Sequence, residues 1–482
     1  MPVRDERWDD ARFRAVRREV LARWPTGEAV DLEEAFDYHR ALPARRRADL
    51  LFARAHAEGR TLVQPRHGDT LVEDQIETLR YLQAHGGADI LSTEVDAYTR
   101  QLKYDLAQQA LEESRAAGRS LICGVPVVAY GVREVRRLVE AVDTPSSARM
   151  ASADARLPKE IFLAAGFTYV LLGPLQNLAY EKDVPIETLI EHYQYEDRLI
   201  GLYEAQGVPV VKECSATLTG TLVPPAIALA CSIIDGLLAA TQGVRRLVLS
   251  CGLLGHLAQD VAAIRLLGEL GREYLDRFGH REVVVYTTCS QWMGAFPHNE
   301  SQAYALVCLG ATAAALGGAT QVIVKSLHEA FGVPSKEANA ASCRATRELL
   351  RMLQGQRLDE GAVLRRELDV LRREVRAILD RTLELGDGDV AQGAVRAFAA
   401  GVIDVPFSPS RWNAGLLMPA RDREGAVRML DPGHVPLPPD LVEFHRERVG
   451  ERARGEGRTM DYTLVIDDVF SMSRPSIPAP VG

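Results

Sequence analysis

Short runs rich in β-branched and other apolar residues recur between residues 61 and 327, and a stretch with helical spacing of apolar positions follows each of them. Several runs end on a polar residue or a glycine. Strands that alternate with helices pair in parallel through right-handed crossovers. Nine runs fit this description, at residues 61–64, 88–91, 120–126, 147–150, 168–172, 208–211, 246–250, 282–287 and 321–325.

This alternation over about 250 residues predicts an α/β fold, a (β/α)8 TIM-type barrel. Such a barrel has eight strands, so one of the nine runs is surplus. An open doubly wound sheet is the rival architecture. It is disfavoured because neither G-x-G-x-x-G nor G-x-x-x-x-G-K-[ST] follows any of the runs.

The segments on either side of the barrel have different patterns. Residues 1–60 carry helical spacing with basic clusters, whereas a charged helical stretch after residue 350 leads into a loop-rich, proline-containing tail. We therefore predict three parts: an N-terminal helical extension (1–60), the barrel (61–350) and a C-terminal extension of helices and loops (351–482).

Composition and charge narrow the range of partners. The chain has 482 residues, 47% of them hydrophobic, and 66 Asp and Glu against 57 Lys and Arg, for a formal charge of −9. This balance disfavours nucleic acid and anionic membranes as partners. The longest apolar stretches are shorter than the roughly 20 residues that a membrane helix needs, so we expect a cytoplasmic protein without a membrane anchor.

Seven cysteines occur without any C-x-x-C pair. The spacing indicates neither a disulfide framework nor a zinc ribbon, and we expect no metal site formed by this chain alone.

Arginines recur just beyond the predicted strands, where barrel enzymes carry their reacting groups. Arg66 follows the first run, Arg100 lies in the loop after the second, and Arg149 is near the end of the fourth. Three guanidinium groups at one barrel mouth would bind a dicarboxylate by bidentate hydrogen bonds. Position alone leaves a second reading open, in which each arginine is a strand-end residue that binds backbone carbonyls.

A lysine, Lys325, ends the ninth run, and Glu329 lies four residues beyond it. A buried lysine at this place could be the Schiff-base nucleophile of a barrel aldolase, or it could donate to a polar ligand. A plain ion pair with Glu329 is equally compatible with the spacing. Residues 291–297 add an aromatic loop after the eighth run.

Several segments carry a resemblance to a known family. They include Arg-Trp-Pro-Thr-Gly at 23–27, the loop at 218–225, Gln-Trp-Met-Gly at 291–294, Val-Ile-Val-Lys at 322–325, Lys-Glu-Ala-Asn at 336–339, and the tail from 406 to 415. In these segments, and nearly end to end, the chain resembles the catalytic epsilon chain of adenosylcobalamin-dependent glutamate mutase, also called methylaspartate mutase.

The resemblance implies a function and a partner. In the family, a barrel binds the substrate while a separate small sigma chain presents cobalamin over its mouth, and two copies of each form a heterotetramer. The reaction interconverts L-glutamate and L-threo-3-methylaspartate through cobalt–carbon homolysis, hydrogen abstraction and migration of a glycyl fragment. A closed barrel suits such radical chemistry because it excludes water.

The resemblance also implies roles for individual residues. Arg66, Arg100 and Arg149 stand at the positions that bind the substrate carboxylates, and Tyr180 matches a tyrosine of the substrate pocket. The positions that contact adenosylcobalamin are occupied by Gly68, Phe296, Lys325, Glu329 and Val333. The cobalamin signature D-x-H-x-x-G is absent, since Asp37-Tyr38-His39-Arg40 is not followed by the required glycine, so the small partner is expected to hold the corrin.

Departures from the family pattern cluster in the substrate pocket. Leu171 replaces the glutamate beside the substrate amino group, which leaves the catalytic acid unassigned. The other departures are Gln176 or Asn177 for a second tyrosine, Met150 for a histidine, Cys123 for an asparagine and Ser215 for a phenylalanine. We predict that the substrate is a dicarboxylate whose amino group is absent, masked or held differently. A partner-binding homologue without catalysis is the alternative.

Overall fold

A sheet of eight parallel strands forms the centre of the protein in the computed structural model, which describes residues 2–171 and 173–474. Its order is β1-β8-β7-β6-β5-β4-β3-β2. The strands are β1 (Leu62–Pro65), β2 (Leu91–Glu94), β3 (Ser146–Arg149), β4 (Tyr169–Leu171), β5 (Val211–Cys214), β6 (Arg246–Gly252), β7 (Val284–Ser290) and β8 (Gln321–Val324).

The two outer strands of this order, β1 and β2, come together and nearly close the barrel. The amide of Asp89 donates to the carbonyl of Val63 at 2.9 Å, and that of Glu94 donates to the carbonyl of His67 at 2.9 Å. The predicted (β/α)8 barrel is confirmed.

Helices surround the barrel and form both extensions. They are α1 (Asp10–Leu21), α2 (Leu32–Ala41), α3 (Ala48–Ala57), α4 (Val72–Tyr81), α5 (Ala97–Arg100), α6 (Tyr104–Ala117), α7 (Val127–Glu140), α8 (Arg156–Ala164), α9 (Ile186–Ala205), α10 (Pro225–Thr241), α11 (Leu257–Arg277), α12 (Glu300–Gly317), α13 (Lys336–Met352), α14 (Ala362–Leu385), α15 (Val390–Ala399), α16 (Pro439–Glu456) and α17 (Tyr462–Val469). No helix described between residues 2 and 474 is both long enough and apolar enough to cross a membrane.

The surplus run is 120–126. It forms only two isolated bridges, Cys123 with Asp69 and Val125 with Val95, and α7 begins directly after it. Gly124 has φ +97° and lies so close to the backbone of Asp96 that a Cβ would come within 2.5 Å of its amide nitrogen. The segment therefore crosses the mouth of the barrel beside β1 and β2 and does not enter the sheet.

Two strands begin three residues later than the apolar pattern predicts. The runs 88–91 and 208–211 correspond to β2 and β5, whose later residues are polar. Those polar groups have buried partners: Ser92 Oγ donates to the carbonyl of Pro65 at 2.7 Å, and the ammonium of Lys212 pairs with Asp197 of α9, outside the sheet. Buried polar residues that are paired in this way are invisible to a search for apolar runs.

The N-terminal extension closes the bottom of the barrel. Phe52 of α3 is fully buried, and its ring lies 5.2 Å from that of Tyr169 and 5.3 Å from that of Tyr286. These side chains form a cluster with residues of β1, β5 and β6. Side chains therefore fill the barrel at the amino-terminal ends of these strands.

The C-terminal extension packs beside the barrel and reaches its mouth. Helix α14 contacts α10 and α11, and an antiparallel hairpin of β9 (Met418–Arg421) and β10 (Val427–Asp431) packs against α16 and α17. Before the hairpin, Thr219 donates to the carbonyl of Pro406 at 2.9 Å and Ser408 to that of Leu178 at 2.5 Å. The division of the chain at residues 60 and 350 stays a prediction.

Candidate functional site

A cavity of about 380 Å³ opens at the carboxyl ends of β1, β2 and β8. Arg66, directly after β1, and Arg100, the last residue of α5, both line it. Arg149, the last residue of β3, lies behind the wall residue Glu94. The barrel topology thus brings the three arginines to one end of the sheet, since each follows or ends a strand or lies in the loop after it.

Glu94 joins two of these arginines. Its Oε1 accepts a hydrogen bond from Arg66 Nε at 2.8 Å and lies 3.4 Å from Arg149 Nε. Burial alone would raise the pKa of Glu94, but the two guanidinium charges outweigh burial and hold that pKa below its usual value. Glu94 in turn raises the pKa of Arg66. Both groups are therefore charged at neutral pH.

Arg149 is also anchored from below. Its Nη1 donates to Glu213 Oε2 at 3.1 Å, and both side chains are almost completely buried. The same carboxylate oxygen lies 2.8 Å from the hydroxyl of Tyr169. Arg149 is thus held between one carboxylate at the cavity wall and another inside the barrel.

Lys325 follows β8 and forms an ion pair with Glu329 at the outer side of the cavity. Burial lowers the pKa of Lys325, the charge of Arg66 lowers it further, and Glu329 opposes both effects. The backbone amide of Lys325 donates to Gln291 Oε1 at 2.9 Å, which fixes the start of the loop. The lysine is therefore a buried ammonium whose charge is stabilised mainly by one carboxylate.

The other candidate residues are arranged unevenly around this cavity. Gly68 and Val333 line it, and Val333 is 61% exposed. A Cβ on Gly68 would come within 2.8 Å of the carbonyl oxygen of Glu94, so packing alone accounts for a glycine there. Phe296 is buried in a separate cluster with Trp292 and does not line the cavity. Tyr180 is half-exposed, and its hydroxyl accepts from Gln176 Nε2 at 3.2 Å.

Leu171 ends β4 as a buried apolar side chain packed against Tyr193. Its carbonyl accepts from the ammonium of Lys159 at 3.0 Å. The following residue, 172, lies outside the described residues. Gly173 then runs tightly against Asp235, because a Cβ at Gly173 would clash with the Asp235 carboxylate. The described part of β4 therefore ends without an acid of its own, and the carboxylate beside Gly173 belongs to Asp235 of α10.

The two amides after β4 have different partners. Gln176 binds the backbone of Leu218 at both ends of its amide, with contacts of 2.8 and 3.1 Å, and also meets Tyr180. Asn177 donates to the hydroxyl of Tyr193 at 2.8 Å. Gln176 is thus the amide that lies beside Tyr180.

The other residues that were expected to depart from the family pattern, Cys123, Met150 and Ser215, differ in exposure. Cys123 lines the cavity, and burial together with the charges of Glu94 and Asp69 raises its pKa. Met150 and Ser215 are buried.

His39 is buried in α2, with Nε2 2.7 Å from the carbonyl of Leu163, and burial lowers its pKa to about 4. In the described parts of the chain, no three His, Cys, Asp or Glu side chains form a group that could hold a metal ion.

Glu94 and Asn339 line the cavity but were not identified as site residues from the sequence. Glu94 ends β2, and the rule that reacting groups follow barrel strands would have identified it had the strand been placed three residues later. Asn339 of α13 donates from Nδ2 to the carbonyl of Arg66 at 3.3 Å and lies 3.3 Å from His67 Nδ1. It comes from a helix after the last strand, where no strand-end rule applies.

Comparisons with known proteins give the family. The methylaspartate mutase E chain model matches residues 42–477. Glutamate mutase epsilon subunits of Desulfitobacterium hafniense, Treponema denticola and Escherichia coli O157:H7 are 49%, 44% and 42% identical over 98%, 98% and 99% of this chain and the same shares of their own. Among solved structures, tryptophan synthase subunit alpha from Legionella pneumophila is 14% identical with a TM-score of 0.35, over 63% of this chain and 98% of its own. The chain therefore belongs to the methylaspartate mutase E chain family, whose relatives named here are glutamate mutase epsilon subunits.

Proposed function

We propose that this chain is the catalytic subunit of an adenosylcobalamin-dependent carbon-skeleton mutase, which interconverts L-glutamate and L-threo-3-methylaspartate or acts on a related dicarboxylate. One observation carries the proposal: three arginines and a buried lysine stand together at the carboxyl ends of the barrel strands. Full-length similarity to glutamate mutase epsilon subunits supports it.

The arginines are suited to binding carboxylates. The Nε groups of Arg66 and Arg149 already face Glu94, which leaves the outer Nη groups of Arg66 for a ligand; Nη1 meets only a thioether, Met293 Sδ at 3.9 Å. Arg100 lines the same cavity and forms no ion pair with any described residue. In this proposal Arg66 and Arg100 bind the substrate carboxylates, Arg149 adds positive charge from behind Glu94, and the Tyr180 hydroxyl donates to the ligand.

The outer side of the cavity fits the adenosyl group of the cofactor. A carboxylate and an ammonium side by side, Glu329 and Lys325, can bind the two hydroxyls of a ribose, and Val333 offers an exposed apolar contact. Gly68, which lines the cavity, is a further proposed contact, and Phe296, buried outside it, stays a proposed contact from the family resemblance alone. When bound, adenosylcobalamin supplies radical chemistry by homolysis of its cobalt–carbon bond. The chain's own side chains orient the substrate and exclude water.

The corrin is proposed to come with a small sigma-type subunit, in a heterotetramer with two copies of each chain. Exposed apolar side chains at the mouth, Phe331, Val333 and Phe407, are available for such a partner. The cytoplasmic location stays a prediction.

The test is reconstitution. The chain is combined with a sigma-type subunit and adenosylcobalamin, and conversion of L-glutamate or its deaminated analogues is followed by NMR. Turnover that requires both additions supports the proposal, with Arg100→Met as the matched inactive control. Absence of turnover with every dicarboxylate, in a complex that forms and retains cobalamin, would favour the partner-binding homologue.

A Schiff-base aldolase is the second candidate, because burial lowers the pKa of Lys325. The ion pair with Glu329 disfavours it, since a protonated amine is not nucleophilic. Borohydride trapping followed by mass spectrometry distinguishes the two: the mutase predicts no adduct of a carbonyl substrate on Lys325, and the aldolase predicts one.

A further inference from the structure

The carboxylate of Glu94 has one oxygen that the protein does not use. Both arginine Nε contacts go to Oε1. None of residues 2–171 and 173–474 donates a hydrogen bond to Oε2. The side chain forms part of the cavity wall and is 20% exposed. The ionised carboxylate of Glu94 can therefore accept a hydrogen bond at Oε2 from a ligand in the cavity.

Such a carboxylate is unfavourable for a ligand that carries only negative charge. A dicarboxylate held by Arg66 and Arg100 would meet the like charge of Glu94 at the same wall, and like charges a few ångströms apart in a partly desolvated site repel strongly. A third, cationic group on the ligand removes this cost and gains a charge-assisted hydrogen bond. The wall thus matches a ligand with two carboxylates and one ammonium group.

The register of the sheet places Glu94 and Leu171 on opposite sides of Arg149. Glu94 of β2 pairs with Arg149 of β3, and Ala148 pairs with Val170 of β4, so Leu171 lies at the level of Arg149 on its other side. The carboxylate thus stands on one side of Arg149 and the apolar replacement on the other. A ligand in the cavity therefore meets the Glu94 side of Arg149, because Glu94 lines the cavity and Leu171 does not.

Three other acids near this end of the barrel each use one oxygen on the protein, whereas Asp96 Oδ2 and Asp235 Oδ2 are buried without a partner in the described part of the chain, and neither of these two residues lines the cavity. Glu181 Oε1 accepts from the amide of Ala153 at 3.1 Å, Glu213 is buried with Arg149 and Tyr169, and Glu329 pairs with Lys325. Glu181 is the closest rival because it is only half-buried and follows Tyr180 in the chain.

We infer that Glu94 binds the ammonium group of the substrate through Oε2 and so determines specificity for an amino dicarboxylate over its deaminated analogue. This inference rests on the proposed function, because it assumes that the arginine-lined cavity is the substrate site.

The test compares two ligands on the full chain by calorimetry, L-glutamate and glutarate, which differ only in the amino group. Wild type should bind glutamate at least about tenfold more tightly. Glu94→Gln should weaken glutamate binding by about tenfold to a hundredfold, the usual effect of losing a hydrogen bond to a charged group, and should leave glutarate binding equal or tighter. Glu181→Gln, the matched control at the rival acid, should leave the preference unchanged.

Three results would overturn the inference: equal affinities of wild type for the two ligands, equal weakening of both by Glu94→Gln, or loss of the preference in Glu181→Gln. Equal weakening would mean that Glu94 only positions the arginines. If Glu94→Gln does not fold, the wild-type comparison and Glu94→Asp, which should keep part of the preference, still decide. A preference for glutamate in a chain that shows no mutase turnover would contradict the proposed function and support the role of Glu94. Mutase turnover in a chain that binds glutamate and glutarate equally would support the proposed function and contradict the role of Glu94.

Discussion

Replacement of Arg149 by methionine should destabilise the fold as well as weaken ligand binding. The guanidinium is the only cation that pairs with Glu213 among the described residues, and the side chain of Glu213 has no exposed surface. Without Arg149, this carboxylate keeps only the neighbouring hydroxyl of Tyr169. An uncompensated charge then remains buried inside the barrel.

The size of the effect follows from this burial. Removing one partner of a buried ion pair typically costs about 3–5 kcal/mol. An unfolding entropy of about 2.1 cal/mol/K per residue gives about 1 kcal/mol/K for a chain of 482 residues. The melting temperature should therefore fall by about 3–5 °C.

Scanning calorimetry of three variants separates this effect from the loss of surface charge. Arg100→Met is the control, since Arg100 is half-buried and makes no ion pair within the described chain. It should melt within about 1 °C of wild type. The double variant Arg149→Met/Glu213→Gln removes the stranded charge and should recover at least half of the loss. An Arg149→Met protein that melts together with Arg100→Met, or a double variant less stable than the single one, would refute the reasoning.

The remaining predictions concern ligands and pH. The purified chain alone should retain no adenosylcobalamin after gel filtration, and should retain it once a sigma-type subunit is added; stoichiometric retention by the chain alone would contradict the division of roles. Arg66→Met should weaken glutamate binding at least about thirtyfold in calorimetry, because a buried charged contact is lost; unchanged affinity would place the site elsewhere. For His39, the folded pKa of about 4 lies below the unfolded value of about 6.5, so stability falls as pH drops through this window. His39→Gln should abolish about 2.4 kcal/mol of that loss between pH 7 and pH 4.5, measured as melting temperature at these two pH values, and identical pH profiles would argue against it.

The barrel is predictable from the sequence because strands alternate with helices along the chain. The exact positions of strands that contain paired polar residues are not predictable in this way. The run 120–126 has the composition of a strand, but Gly124 adopts a positive φ there, so the segment cannot continue as one. The true positions of β2 and β5 are hidden because Glu94 and Lys212 find their ionic partners only in three dimensions.

The candidate site was predictable in part for the same reason. Strand-end position and family resemblance led to Arg66, Arg149 and Lys325, but neither could show that Glu94 joins two of the arginines. The family resemblance implies that Leu171 takes the place of an acid, and this stays a prediction. A carboxylate across Arg149 depends on strand register, which a single sequence does not specify.

The contacts of the C-terminal extension with the mouth have a consequence for biosynthesis. The last barrel strand ends at Val324, but the loops that carry Leu178 and Thr219 gain partners only at Ser408 and Pro406. A ribosome must therefore add about 80 further residues after the last barrel strand before the loops of Leu178 and Thr219 can form these hydrogen bonds. On a nascent chain, the eight strands can assemble while the entrance is still unfinished, so competence for ligands should be one of the final events of synthesis.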